Sequence, residues 1–314
     1  MLSEKKENQA SRSKKGLRTA WDDKLFEVIN GALLIVLFLF FLYPVWFVVI
    51  ASISNPDAVA TGQVILLPKD IMLNGYRRVF ASKEVWTGYL NTIFYTVAGT
   101  FLNVLATTMV AYSVSRRDLK GRKLILTLFI ITMYFSGGMI PAYLNVRSLG
   151  LLDTRTFMLI SGLVTPTNII ICRTYFANSV PWELQEAAFI DGASDLFVFR
   201  KIMMPLARPL LAVMTITYAV GHWNSFFNAL IYLSDDKKYP LQVFLRRILL
   251  KSNMLSMMVD DSDPNMLAAI VAEQATANQL KYALIVVAAL PLLIAYPWVE
   301  KHFAKGIMIG GIKG

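Results

Sequence analysis

Six apolar runs of membrane length constrain this chain more than any other feature of its sequence. A helix that crosses a bilayer core needs roughly 20 apolar residues. The runs that meet this length lie at about 29–53, 89–114, 124–143, 157–176, 209–233 and 281–299. With 56% apolar and 17% charged residues, the composition also indicates a membrane protein. The sequence therefore predicts an all-α protein with six transmembrane helices.

The distribution of Lys and Arg predicts the orientation of these helices. Short connections that are rich in these residues stay in the cytosol. The N-terminal segment 1–24 is basic, and the link 115–123 holds five cations in nine residues. We therefore expect both termini on the cytosolic side. We also expect the N-terminal segment 1–24 to be disordered and the permease domain to occupy residues 25–314. The loops 55–88 and 234–279 would lie outside, with an amphipathic helix at 239–251.

The charge and the single cysteine exclude several other classes of protein. The net charge of +10 lies largely beside the apolar runs, where topology explains it, so we expect no nucleic-acid partner. Basic residues of the N-terminal segment would also contact anionic membrane lipid. Cys172 alone cannot form a disulfide within the chain, and we predict no metal site. The sequence also lacks a Gly-x4-Gly-Lys-[Ser/Thr] phosphate loop.

A short polar module at 179–209 interrupts the apolar runs between the fourth and fifth predicted spans. Pro181 suits the first turn of a helix, and the dipole of that helix favours Glu183 and Glu186 near its start. Gly192 can take the positive φ that ends the helix, and Ser194 or Asp195 can cap the next one. The residues predict a helix, a glycine turn and a second helix. A static interfacial helix and a docking element for another protein both remain open at this point.

The spacing within this module resembles a family motif. Glu186-Ala-Ala, three residues, Gly192, nine residues, Ile202, one residue and Met204-Pro205 resemble the EAA motif of ABC-importer permeases. That motif reads Glu-Ala-Ala, x3, Gly, x9, Ile, x, Leu-Pro, and this chain departs from it only in having Met for Leu. The C-terminal segment 305–314 is similar to the carbohydrate, maltose-permease branch. Permeases for complex polysaccharides and lipoprotein-linked oligosaccharides resemble the chain over 28–314.

The resemblance implies a type I ABC-importer permease fold and a division of labour among subunits. The module would hold a coupling helix that docks in a cytosolic ABC ATPase dimer, which would bind ATP and Mg. The chain itself would be no enzyme and would need no cofactor. Its other partners would be a homologous second permease and an extracellular solute-binding protein, in the plasma (inner) membrane. The resemblance assigns ATPase coupling to Glu183, Glu186, Ala187, Ala188, Asp191, Gly192 and Pro205.

Polar and aromatic side chains inside the apolar runs are candidates for a sugar pathway. Sugars bind to hydrogen-bonding groups and aromatic faces in a largely apolar cavity. The candidates are Tyr134, Asn168, Tyr218, His222, Trp223, Asn224 and Asn228. For any one of them, hydrogen bonding between helices is the favoured interpretation, and we expect some of the set to line a path.

Two classes of transporter fit these observations from the sequence. The resemblance favours an ATP-driven importer of sugars, and oligosaccharides are the expected substrates. A secondary transporter of a polar solute is the alternative, and it would need ion-coupling carboxylates within the spans. The six apolar runs contain almost no ionisable residues, which disfavours that alternative.

Overall fold

The computed structural model describes residues 21–261 and 264–310, and within these ranges all regular secondary structure is helical. The chain divides into two compact units, Met1–Ile71 and Met72–Gly314. The predicted segment 1–24 lies largely outside the described residues, but its last four residues already belong to a helix. The permease domain predicted at 25–314 thus has its first helix starting before its predicted boundary.

The first unit consists of a long apolar helix and a short hairpin-like return. Helix α1 (Trp21–Ser52) holds the first predicted span and is followed by α2 (Pro56–Ala60). The indole of Trp46 donates to the carbonyl of Leu66 at 2.9 Å, which holds the segment after α2 against the end of α1. Most of the apolar side chains of α1 are exposed within the structure.

The second unit contains twelve helices in the part of the chain that is described. They are α3 (Asn74–Ala81), α4 (Lys83–Ser115), α5 (Arg122–Tyr134), α6 (Met139–Ser148), α7 (Arg155–Ile160), α8 (Pro166–Ser179), α9 (Trp182–Ile190), α10 (Asp195–Leu206), α11 (Arg208–Trp223), α12 (Phe227–Tyr232), α13 (Leu241–Asp261) and α14 (Pro264–Gly310). Helix α4 is central because it packs against α7, α8, α11 and α13.

Three buried clusters hold this unit together. One joins α4, α8, α10 and α11 around Ile169, Phe176 and Met203. A second surrounds Tyr95 and Phe244, and a third joins α3, α4, α13 and α14. Close packing of side chains is a main source of helix association in membranes, and the first cluster thereby fixes α10 to the helices of the bundle.

The apolar runs are less regular than the sequence predicted. Among the described residues, three helices are long and apolar enough to cross a membrane: Asp23–Ser52, Lys83–Ser115 and Ala269–Pro297. Two bent pairs raise the number to five if each pair is one span: α5 with α6, bent by 118°, and α10 with α11, bent by 85°. The predicted number of six spans is therefore not reached by this criterion.

Breaks in three of the predicted spans explain the lower number. The predicted span 124–143 breaks between α5 and α6, where Gly138 adopts a φ of 86°. The span at 157–176 is divided into α7 and α8 by residues 161–165, just before the helix-starting Pro166. The span at 209–233 is divided into α11 and α12. Average hydropathy does not register such breaks, because the broken segments remain apolar.

The loop predicted at 234–279 is mostly helical, which corrects the sequence-based expectation. Helix α13 includes residues 241–251 of the amphipathic helix predicted at 239–251, and α14 begins 17 residues before the predicted start of the sixth span at 281. Leu241, Val243 and Phe244 of α13 are buried, whereas Arg247 is exposed and pairs with Asp236 at 2.9 Å. The two helices pack against each other and form one structured region.

Candidate coupling surface and transport pathway

The 179–209 module has the helix, glycine turn and helix that its residues predicted. Helix α9 starts after Pro181, and Gly192 follows its end with a φ of 79°. An L residue with a side chain rarely adopts that conformation, so the glycine allows the turn. The hydroxyl of Ser194 then accepts a hydrogen bond from the N–H of Phe197 at 3.3 Å and caps α10.

One side of α9 faces away from the protein and carries both apolar and acidic groups. Leu184 is 45% exposed and Ile190 is 85% exposed, and Glu183, Glu186 and Ala187 are exposed with them. The indole N–H of Trp182 donates to a carboxylate oxygen of Glu186 at 2.5 Å. Exposed apolar groups beside charged ones are typical of a surface that binds another protein.

The opposite side of the module is anchored in the protein. Ala188 and Phe189 pack against the buried cluster that contains Phe176 and Met203. Ala188 is half-buried against this cluster, whereas Leu184 and Ala187 are exposed. The surface of α9 is therefore split between an outward face and an anchored face.

Arg116, at the end of α4, connects the module to the rest of the bundle. Its guanidinium donates to Asp118 and to Asp195 at the start of α10 and lies 5.1 Å from the ring centroid of Phe189. The hydrogen bond from Arg116 lowers the pKa of Asp118, and the two carboxylates raise the pKa of Arg116. A motion of α9 and α10 would thus be transmitted directly to α4.

Pro205 lies at an irregular part of α10. The segment Phe199–Met203 forms a π-helical turn, in which the N–H of Met204 donates to the carbonyl of Phe199. Proline has no N–H with which to continue the regular helical hydrogen bonds, so the irregularity precedes it. Beyond this turn α10 meets α11 at the 85° bend. Asp191 terminates α9, and its N–H donates to the carbonyl of Ala187 at 3.0 Å.

A second candidate site is a polar cavity of about 170 Å³ between α4, α7, α11 and α12. It contains three of the predicted pathway residues, Tyr218, His222 and Asn228. Its other polar members are Thr165, Thr217 and Ser225, together with Asn103 and Ser161, which were not among the polar residues picked out from the sequence. Hydroxyl, amide and imidazole groups in an apolar bundle are suited to hydrogen-bonding a polar solute.

Asn103 organises one wall of this cavity. Its amide nitrogen donates to the carbonyls of Gly162 at 2.7 Å and Leu163 at 3.1 Å. Its amide oxygen lies 2.9 Å from Nε2 of His222. The break between α7 and α8 exposes those two carbonyls, so Asn103 satisfies backbone groups that a continuous helix would have paired.

Two further hydrogen bonds and one glycine complete the cavity wall. The hydroxyls of Thr107 and Tyr218 lie 2.7 Å apart, and the amide of Asn228 donates to Ser161 at 2.9 Å. A Cβ at Gly99 would fall 2.5 Å from the His222 ring. Position 99 therefore requires glycine for α4 and α11 to approach as closely as they do.

The polar residues of α4 were a signal that could have revealed this wall. Thr92, Thr96, Thr100, Asn103 and Thr107 recur every three to four residues and lie along one side of the helix. Within a membrane-length run, such a stripe predicts a face turned to a polar cavity or to another helix rather than to lipid. The pathway candidates chosen from the sequence all lie in spans three, four and five, and none lies in span two.

The remaining predicted pathway residues lie elsewhere. The indole of Trp223 is buried and donates to the carbonyl of Ala288 at 3.1 Å, so it joins α11 to α14. Asn224 donates to the carbonyl of Val220 in its own helix. Tyr134 is 79% exposed, and Asn168 is half-buried but does not line the cavity. The structure therefore does not bring these four residues together with the other three.

An ion pair outside the predicted spans fixes the segments that lead into α7 and out of α12. Asp153 pairs with Lys238 at 2.7 Å and accepts hydrogen bonds from the N–H groups of Ser234 and Asp235. The hydrogen bond from Lys238, followed by those from the two backbone groups, lowers the pKa of Asp153 to about 2. The carboxylate thereby holds the two short helices that border the polar cavity.

Comparison with known proteins assigns this architecture to a class. No protein-family model matches the chain. The permease protein YtcP of the polygalacturonan/rhamnogalacturonan transport system of Bacillus subtilis (strain 168) is 38% identical over 296 residues, 93% of this chain and 99% of that protein. Protein LplC of the same organism is 40% identical over 271 residues, 86% of this chain and 89% of that protein.

A solved structure leads to the same class. The crystal structure of a bacterial ABC transporter involved in the import of the acidic polysaccharide alginate contains a chain that is 37% identical, with a TM-score of 0.80. The match covers 92% of this chain and all of that one. The chain belongs to the carbohydrate permeases of ABC transporters, which are integral membrane proteins and are not enzymes.

Proposed function

We propose that this chain is the membrane-spanning permease subunit of an ATP-driven importer and that α9 is its coupling helix. The observation that carries the proposal is the two-sided construction of the 179–209 module. Leu184, Ala187, Ile190 and Glu186 face outward, while Ala188 and Phe189 are packed into the bundle. A partner that moved α9 would therefore move the transmembrane helices.

The partner in this proposal is a cytosolic ABC ATPase dimer, which binds ATP and Mg²⁺. Ile190, at 85% exposure, would enter an apolar cleft of one ATPase subunit. The hydrogen bond from Trp182 restrains the carboxylate of Glu186, so that it can meet a basic residue of the ATPase with little loss of side-chain entropy. Closure of the ATPase dimer would displace α9 and open the pathway to the outside.

We also propose that the chain crosses the plasma membrane six times and that both termini lie on its cytosolic side. The three long helices, the pairs α5–α6 and α7–α8, and α11 with α12 supply six segments. An even number returns the chain to the side on which it started, and the cations of residues 115–123 favour the cytosol for that link. Helix α13 and the N-terminal end of α14 would then lie outside and contact an extracellular solute-binding protein.

The proposed substrate is an oligosaccharide that passes between this chain and a homologous second permease. The polar cavity has the required amides and hydroxyls, but its 170 Å³ cannot enclose a sugar chain without a second wall. Names of similar proteins refer to polygalacturonan/rhamnogalacturonan and to alginate, which are rich in uronic acids. We therefore favour acidic oligosaccharides over neutral ones.

Uptake by the reconstituted transporter tests this function. Glu186→Ala is expected to abolish ATP-dependent uptake of oligogalacturonate into liposomes while leaving membrane insertion unchanged. Glu84→Gln removes an exposed acid from the start of α4 and serves as the matched control. Full uptake by the Glu186→Ala variant would overturn the coupling role. Uptake by wild type without any ATPase would instead identify a secondary transporter.

A further inference from the structure

A second cavity, of about 340 Å³, lies directly behind α9 and is distinct from the polar cavity. The ends of α4, α8 and α9 and the start of α5 surround it. It is lined by three arginines, Arg117, Arg122 and Arg173, together with Ser115, Phe176, Ala177, Asn178, Val180, Trp182 and Gln185. We call it the arginine cavity. Its volume far exceeds the roughly 10–15 Å³ that a single water requires.

The arginine cavity carries positive charge that nothing in the described chain neutralises. No carboxylate lines it, and none of its three arginines forms an ion pair with a described residue. Arg116, which is adjacent in sequence, is instead neutralised by Asp118 and Asp195. Three like charges around one space repel one another, so an anion in that space would stabilise all three.

The donors of these arginines are largely unused. Among the described residues, Arg122 donates only to the backbone carbonyls of Ser115 at 3.5 Å and Arg116 at 3.3 Å. Arg117 lies over the ring of Trp182, with its guanidinium carbon 5.9 Å from the ring centroid. The Nε of Arg173 is buried and has no hydrogen-bond partner among the described residues. Guanidinium groups in this state are ready to bind the oxygens of an anion.

Gln185 gives an independent indication of a ligand. It is only 3% exposed, it lines the arginine cavity, and its amide oxygen has no partner in the described part of the chain. A buried amide oxygen without a partner is costly and rare, because such groups are nearly always paired with protein or with ordered water. Gln185 lies on the anchored side of α9, so an ATPase docked on the outward face would not reach it.

We propose that Arg117, Arg122, Arg173 and Gln185 bind a phosphate group. Arginine forks match the oxygens of phosphate, and the amide oxygen of Gln185 can accept a hydrogen bond from a hydroxyl of inorganic phosphate or of a glycerol headgroup. The group can belong to the headgroup of an anionic phospholipid or to free phosphate. Arg173 follows the apolar residues 169–171 in α8, so in the proposed membrane crossing α7–α8 it would lie near the cytosolic lipid headgroups.

The site would link membrane composition to the position of the coupling helix. A phosphate held between Arg173 of α8 and Arg117 after α4 would also contact Gln185 of α9. The ligand would thereby fasten α9 to two helices of the bundle at the place where the stroke of the ATPase is received. This function is separate from the choice of sugar, and its test does not require transport.

The test counts bound lipid and measures phosphate binding on the full-length chain, purified with its accompanying subunits. In one arm, the protein is placed in phosphatidylcholine nanodiscs with or without phosphatidylglycerol, and native mass spectrometry counts retained lipid. In the other arm, inorganic phosphate is titrated in phosphatidylcholine alone. The variant is Arg117→Gln/Arg173→Gln. The control, Arg200→Gln/Arg208→Gln, removes two exposed arginines of the same module.

Retention of phosphatidylglycerol by wild type and control, and its loss in the variant, would support the proposal with a lipid as the source. Phosphate binding that weakens about tenfold per arginine in the variant alone would support it with free phosphate as the source. Should the double variant fail to fold, Arg173→Lys keeps the charge and loses the fork, and an intermediate loss is expected. Equal binding by variant and control in both arms would overturn the proposal. A carboxylate of another subunit seated on Arg173 in the complex would overturn it as well.

Discussion

The 179–209 module and the polar cavity solve the problem of connecting helices in opposite ways. At its edge the module is held by charge, because Arg116 is bonded to Asp118 and Asp195, and its outward face is exposed. The cavity is held inside the bundle by neutral hydrogen bonds centred on Asn103, and its contacts are already made. The first arrangement suits an element that is moved from outside, and the second suits a wall that keeps its shape.

The largest effect is expected from a change in the cavity wall, because its close packing leaves no room. In Gly99→Ala, the new Cβ would lie 2.5 Å from the His222 ring. The ring cannot withdraw without breaking its contact with Asn103. We therefore expect the free energy of unfolding to fall by about 2–3 kcal/mol, toward the upper end for an overpacked core. The melting temperature of the purified protein measures this loss.

A glycine in the adjacent helix supplies the control for that experiment. A Cβ at Gly221 would have no atom within 4 Å, so Gly221→Ala is expected to leave the melting temperature nearly unchanged. Removing the clashing ring in Gly99→Ala/His222→Ala should restore part of the lost stability. Identical melting of the two single variants would show that α4 and α11 are not packed as tightly as described.

A smaller effect is expected from removing the hydrogen bonds of the wall without adding volume. Asn103→Ala deletes the donors to Gly162 and Leu163 and the partner of His222. At the ~0.6 kcal/mol that such bonds average in membranes, three of them predict a loss of about 2 kcal/mol. Thermal unfolding measures it, with Asn168→Ala as the control because the side chain of Asn168 has no described hydrogen bond. A control that melts as early as Asn103→Ala would contradict the assignment.

The same contrast explains what could be predicted from the sequence. The module was predictable because its signals are local: Gly192 permits its own turn, and Ser194 caps the helix that begins at the next residue. The residues that resemble the family motif also lie in one continuous segment, from Glu186 to Pro205. Nothing beyond about 25 residues of chain was needed to find the helices and the turn between them.

The cavity was only partly predictable because its contacts are distant in sequence. Asn103 bonds carbonyls 59 and 60 residues later, and those carbonyls are free only because α7 and α8 are separate helices. Hydropathy averaged over 157–176 hides that break. The polar stripe of α4 pointed to a cavity wall, but the identity of its partners depended on the packing of the second unit.

The smallest effect is expected from loosening the charged edge of the module. Arg116→Gln removes the pairs with Asp118 and Asp195, whose carboxylates are more than half exposed, so we expect a loss of about 1 kcal/mol or less. That loss would raise the amide hydrogen exchange of residues 182–195 about fivefold, since the module opens locally. Arg200→Gln removes an exposed arginine from α10 and should leave exchange unchanged.

The stability of the charged edge should also depend on pH and on salt concentration. The hydrogen bonds of the cavity wall are neutral and give no reason for such a dependence. Since Arg116 lowers the pKa of Asp118 below 3.8, the contribution of this carboxylate is complete above that value and is lost as the pH falls below it. High salt should likewise speed exchange in wild type, because screening reaches exposed pairs. If exchange at 182–195 is insensitive to acid, to salt and to Arg116→Gln, apolar packing of Phe189 alone holds the module, and the contrast with the cavity disappears.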